Sequence, residues 1–266
     1  MTVVCNVLTK NELVVGSDGY ITSDGKPIES NAVKFVKFDH PNCVVAYWGL
    51  AKYKSWSMQG WLRLHKQQLD KHSDQCKSLD DLAFYLKAEL EKARSAKGVL
   101  HEVIMKGIGL HVVGFLPLQD GAKFPELYLI TNFSLDEAGK YYVKQETLDC
   151  TPRTIVDFTP PDKSHLTNEE KRRYIYDNIF NNGNVLIYNN GDPILFNESF
   201  GKYIASAKSS HITSKKDLYS HLKEMVIQPI EAVKQYQSNY YSPENVAVGG
   251  QVSTGIMLVD GTWIHP

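Results

Sequence analysis

Along the first fifty residues, short and strongly apolar runs alternate with polar turn residues. The runs 2–8 (Thr2 to Leu8) and 13–18 (Leu13 to Asp18) have the length and β-branched content of strands, and Thr9-Lys10-Asn11-Glu12 between them suits a hairpin turn. Gly19 to Gly25 predicts a loop. Strands are then expected over 30–36 and 43–49, with Asp39-His40-Pro41-Asn42 as the turn that joins them. Alternation through Ala32 to Phe38 puts Lys34 on the wet face of its strand.

The apolar period then lengthens. Trp56, Met58, Trp61, Leu62, Leu64 and Leu69 suit a helix over 53–71. Ser78 can cap a second helix with Asp80 and Asp81 in its first turn and Leu79, Leu82, Phe84, Leu86 and Leu90 along it, and Gly98 ends that pattern. Strands are expected at 110–118, 127–132 and 141–147. Thr159-Pro160-Pro161 breaks the chain, and Thr167-Asn168-Glu169-Glu170 has the form of a capping box opening a charged helix through Phe180. A strand at 185–188 leads into a turn, with Asp192 as the cap of a helix and Pro193 at its first position. A long helical pattern spans 214–239, where Pro229 predicts a kink.

Composition narrows the class of protein. A chain of 266 residues, 42% of them hydrophobic, can bury one large core, so a single domain over 2–266 is expected. A net charge of −1 gives no electrostatic case for nucleic acid. No apolar run approaches the ~18 residues of a membrane helix, and no signal peptide precedes Thr2, so a cytoplasmic protein with no membrane partner is expected. Cys5, Cys43, Cys76 and Cys150 lack CxxC spacing and are expected as reduced thiols. Nine histidines show no HxxxH or HExxH spacing, so neither a metal nor another cofactor is expected. His111, on an apolar strand, suits a hydrogen-bonded core histidine, and Glu169 to Arg173 a solvated helix face.

Chemistry enters at the chain start. Removal of Met1 would expose Thr2, and an N-terminal threonine carries both a hydroxyl nucleophile and an α-amine that can serve as its base. That amine titrates near 7.7–8.0, roughly 2–3 units below a lysine side chain. An ammonium such as Lys34 would lower it further, and a carboxylate such as Asp18 would hold the lysine. Each residue alone has an ordinary reading: a common second residue, a turn aspartate in Ser17-Asp18-Gly19, a strand lysine.

Their order and spacing resemble the N-terminal-nucleophile (Ntn) hydrolases, specifically the proteasome β-subunit family and its bacterial ring-protease relatives. The matching positions are Thr2, Asp18, Thr22, Lys34 and Gly49. The resemblance implies an α+β fold, a four-layer αββα sandwich of two antiparallel sheets, with an insertion at about 150–182. It implies a catalytic trio of Thr2, Asp18 and Lys34, an oxyanion donor at the Gly49 N–H, and Thr22 and Tyr47 near the substrate. Asp192 stands in the loop where the family has an accessory serine. The closing strands, 246–252 and 255–264, resemble those that start at the family's Asp-x-x-Ser-Gly-Gly motif; here the motif is Asn245-Val246-Ala247-Val248-Gly249-Gly250, with Asn245 and Val248 in place of the aspartate and serine.

The implied activity is hydrolysis of a peptide or amide substrate through an acyl-enzyme on Thr2. A single-substrate amidase, a transpeptidase, or a proteasome-like structural subunit without turnover remain open alternatives. Family members enclose their sites in rings, so a homo-oligomer is expected, with the helical hairpin 51–97 as the contact and an unfoldase partner left open.

Overall fold

The computed structural model describes residues 3–23, 26–49, 51–72, 74, 76–135, 141–144, 146–190, 215–240 and 248–264. Among these, β1 (Val4–Leu8) and β2 (Glu12–Ser17) form the predicted hairpin, in register Val4 to Ser17 and Leu8 to Leu13. A small ribbon of β3 (Ile21–Ser23) and β4 (Lys26–Glu29) occupies part of the expected loop. Next come β5 (Phe35–Asp39) and β6 (Asn42–Gly49), then a two-residue ribbon of β7 (Lys52–Tyr53) and β8 (Trp56–Ser57). Because that ribbon uses residues 52–57, α1 runs only from Met58 to Lys71, with Ser57 as its cap.

Helix α2 (Leu79–Ser95) has the predicted Ser78 cap, here as a full capping box with Asp81. Gly98 caps the start of α3 (Val99–Met105), a helix too short to show in the apolar period. Strands β9 (Ile108–Pro117) and β10 (Lys123–Thr131) follow, then the ribbon β11 (Phe133–Leu135) and β12 (Tyr141–Val143) and the edge strand β13 (Asp149–Pro152). After α4 (Arg153–Phe158), α5 (Asn168–Ile175) opens on the predicted Thr167–Glu170 capping box and runs into a π-helical turn, Tyr176–Phe180. Strand β14 (Leu186–Asn190), helix α6 (Lys215–Tyr240), β15 (Ser253–Leu258) and β16 (Trp263–Ile264) complete the described chain. Helix α6 continues through Pro229. Of the closing strands expected at 246–252 and 255–264, residues 248–252 are not in a strand, and the second span holds most of β15 and all of β16 with a turn between them.

The protein is mixed α+β, with two large antiparallel sheets. Sheet one has the order β14-β1-β2-β15-β16 and sheet two the order β13-β10-β9-β6-β5. Three apolar clusters organise them. Val4, Leu8, Val15 and Met257 of sheet one meet Val44, Ala46, Val113 and Leu127 of sheet two. Val45, Tyr47, Leu110 and Val112 carry the opposite face of sheet two against Leu62, Leu69, Leu82 and Leu86 of α1 and α2. Val3, Cys5, Val7 and Val14 carry the opposite face of sheet one against Leu222, Val226, Ile230 and Val233 of α6. Successive residues of β1 therefore bury into different clusters, as the two-residue period of a strand requires, and both faces of each sheet are apolar.

Candidate functional site

At one end of sheet one the start of β1, the ends of β2 and β14 and the start of β15 lie side by side, with Val4 opposite both Ser17 and Asn190 and Ser253 opposite Ser17. Asp18 follows β2 there. Its backbone N–H donates to the Val3 carbonyl at 3.2 Å, while its Oδ1 accepts from Val3 N at 2.9 Å. Oδ1 also accepts from Lys34 Nζ at 2.8 Å, with both side chains 0% exposed. Oδ2 accepts from Tyr20 N at 3.2 Å and Gly249 N at 3.3 Å. One carboxylate thus ties together the chain start, a buried ammonium and the glycine pair near the chain end.

Lys34 lies just before β5 and points inward, so the wet-face expectation is overturned. The local alternation does not register a partner supplied by another strand. Burial holds the Lys34 ammonium below the ordinary lysine value, and the nearby Asp18 and Glu29 carboxylates oppose that only in part. Its backbone is fixed as well: Lys34 N donates to Ser17 Oγ at 3.4 Å and Lys34 O accepts from Tyr47 N at 2.9 Å.

The second N–H of the chain start has its own acceptor. Val4 N donates to Asn190 Oδ1 at 2.6 Å, and Asn190 is buried at the end of β14. The peptide N–H groups of residues 3 and 4 are therefore both held by side-chain oxygens, one just after β2 and one at the end of β14. Thr2, Asp192 and Asn245 lie outside the described residues. Thr22 sits in β3 opposite Pro27 of β4, and its side chain lies outside the described part.

Gly49 ends β6 with φ +85°, and a Cβ built there would lie 2.6 Å from the Gly107 carbonyl oxygen, so only glycine fits. Trp48 stacks on Phe133 at 4.9 Å and meets His111 edge-on at 6.3 Å. Tyr47 is buried against α1 and α2, its hydroxyl donating to the Val33 carbonyl at 3.3 Å. His111 is the expected core histidine. Its Nδ1 pairs with Asn6 Nδ2 at 2.7 Å across the two sheets, and burial drops its pKa to about 3, so it stays neutral.

Sequence reasoning did not find the parts played by Ser17, Asn190 and Gly249. Gly249 O accepts from Gly19 N at 2.8 Å and Tyr20 N at 3.0 Å, and the Tyr20 ring lies where a Cβ on Gly249 would stand. A Gly-Gly pair and a polar residue closing an apolar strand are the only signals that pointed to these positions. Among the described residues no group of His, Cys, Asp or Glu could hold a metal ion, and no helix is long and apolar enough to cross a membrane. No protein-family model matches the chain, and no curated protein matches it.

Proposed function

We propose that this chain is an N-terminal threonine hydrolase of the proteasome β-subunit type, acting on a peptide or amide bond. The observation that carries the reading is Asp18, which binds the Lys34 ammonium and the N–H of Val3, the residue after Thr2, through one buried oxygen. The order of helices, sheet, sheet and helix around three apolar clusters supports the four-layer αββα sandwich of the Ntn hydrolases.

On this reading Thr2 Oγ attacks the carbonyl carbon, and the free α-amine takes the hydroxyl proton and passes it to the leaving amine. The resulting ester on Thr2 is then hydrolysed by water, which regenerates the hydroxyl. The Lys34 charge lowers the pKa of the amine and counters the negative charge that develops on the attacked oxygen. Asp18 keeps that ammonium charged and oriented. The Gly49 N–H is the proposed oxyanion donor; loss of such a donor typically costs about 2.7–4 kcal/mol of transition-state stabilisation. A homo-oligomer belongs to the proposal, and light scattering that gives a strict 30.1 kDa monomer would leave a solitary amidase or transpeptidase.

One observation favours a second reading, a subunit with this fold but no turnover. Val248 stands where the family has a serine, and it is fully buried in the apolar cluster under α6. Thr2→Ala separates the readings once intact mass has established loss of Met1. The hydroxyl is then gone while the amine remains, so hydrolysis and labelling by a β-lactone or epoxyketone disappear in a folded protein. Cleavage at the native rate by that variant removes Thr2 as the nucleophile, and absence of cleavage in the native protein as well leaves the second reading.

A further inference from the structure

We propose that Tyr47 and Gln59 are positioning residues for Lys34, acting together through the carbonyl of Val33. The inference rests on the reading of Lys34 as the charge beside the nucleophile. Lys34 precedes β5, so strand pairing alone does not fix the peptide on its N-terminal side. That peptide, made of the Val33 C=O and the Lys34 N–H, is one rigid plane. Its oxygen accepts from Tyr47 Oη at 3.3 Å and from Gln59 Nε2 at 3.1 Å, and its N–H donates to Ser17 Oγ at 3.4 Å. Three separate elements therefore grip one peptide: β2 through Ser17, β6 through Tyr47 and α1 through Gln59.

Each donor is itself held. Tyr47 also takes the Lys34 carbonyl with its own backbone N–H, so its phenol and main chain grasp the peptides on both sides of Lys34. Burial pushes the Tyr47 phenol up, which keeps it a donor across the working pH range. Gln59 is the second residue of α1, whose first turn is fixed by Ser57 Oγ accepting from Gly60 N at 3.1 Å. The lysine stem has four rotatable carbons, so aim at the Asp18 oxygen depends on where the Lys34 Cα is anchored. Geometry of this kind must hold to about 0.5 Å for a functional group to work.

A carbonyl oxygen has two lone pairs, and here each has a donor. Loss of one donor leaves the oxygen bonded; loss of both leaves it unsatisfied, and the peptide can move and admit water. The test is the titration of Lys34 followed by NMR in the full-length protein carrying 13Cε-labelled lysine. In the Tyr47→Phe, Gln59→Leu double variant, Lys34 is expected to titrate higher than in the native protein, because solvent entering around the ammonium relieves its desolvation. Each single variant moves it in the same direction by less than half as much. Leu62→Val, a core truncation in the same helix, is expected to lower stability without moving the titration.

A folded double variant in which Lys34 titrates as in the native protein overturns the proposal. If the double variant does not fold, Gln59→Leu alone decides, and no shift there overturns it equally. None of these measurements needs turnover. A shifted Lys34 in a protein that shows no Thr2-dependent hydrolysis leaves the clamp standing and removes the hydrolase reading. With the hydrolase reading intact, the double variant also loses kcat.

Discussion

The Lys34 ammonium lies 2.8 Å from an Asp18 carboxylate oxygen, and solvent reaches neither side chain. Besides the lysine, Asp18 has three backbone N–H donors, from Val3, Tyr20 and Gly249. Lys34→Met is therefore expected to leave a buried carboxylate short of its countercharge and to cost about 3–5 kcal/mol of stability, read as a lowered urea midpoint at unchanged m. A loss under about 1 kcal/mol would mean that the backbone donors alone sustain Asp18.

The depressed Lys34 pKa fixes the direction of two pH effects. Folded Lys34 binds its proton less tightly than an unfolded lysine, so its contribution to stability rises with pH between its lowered value and 10.5. On the proposed mechanism catalysis needs the charge, so activity is expected to fall as pH rises through that lowered value. On the acid side of the same proposed mechanism, protonation of the Thr2 amine removes the base at or below about 7.7–8.0. A bell-shaped kcat/KM profile with its alkaline limb below 10.5 is expected, and an alkaline limb at or above the free-lysine value would separate Lys34 from the chemistry.

Glu126 gives a pH effect of opposite sign at a distant place. It is fully buried on β10, where Oε1 accepts from Leu127 N at 3.1 Å and Thr154 N at 3.0 Å, and Oε2 lies 3.6 Å from Arg172 Nε. Burial raises its pKa from 4.5 to about 7, against the pull of those donors and of Arg172. The native state then holds the proton more tightly than the unfolded chain, and this stabilisation, fully present below 4.5, is lost as pH rises through about 7. Glu126→Gln keeps the Oε1 acceptor and is expected to flatten that slope, a change on the order of 2–3 kcal/mol between pH 5 and pH 8 in urea unfolding. An unchanged slope would assign the pH dependence to other groups.

Gly49→Ala addresses the β6 terminus. The left-handed φ of +85° costs a residue with a Cβ about 1–2 kcal/mol, and the contact with the Gly107 oxygen at 2.6 Å adds to it. Both a fall in thermal midpoint and a loss of hydrolysis are expected, because relief of the contact must move the backbone N–H proposed as oxyanion donor. Native activity in a folded Gly49→Ala protein would remove Gly49 from that role.

Much of the element order was legible because its signals are local. The β1–β2 hairpin, the Ser78 cap of α2 and the Thr167–Glu170 box of α5 are set by residues within four positions of one another, and each is found where the sequence puts it. Helices α3 and α4, at seven and six residues, are too short to display a period. Arg172 was expected on a solvated face; it instead turns to Asp80 at 3.3 Å and towards Glu126, partners far away in sequence.

The same division holds at the site. Spacing from Thr2 to Asp18, Lys34 and Gly49 is a property of the sequence, and it was enough to select these residues. That Asp18 and Lys34 are buried together, that Asn190 reaches Val4, and that Gln59 and Tyr47 share the Val33 carbonyl were decided only when separate strands and a helix were brought side by side. A residue's period reports the face it would take in an isolated strand or helix. Whether a charged side chain is buried depends on a partner close enough to offset its desolvation, and that partner is supplied by the tertiary fold.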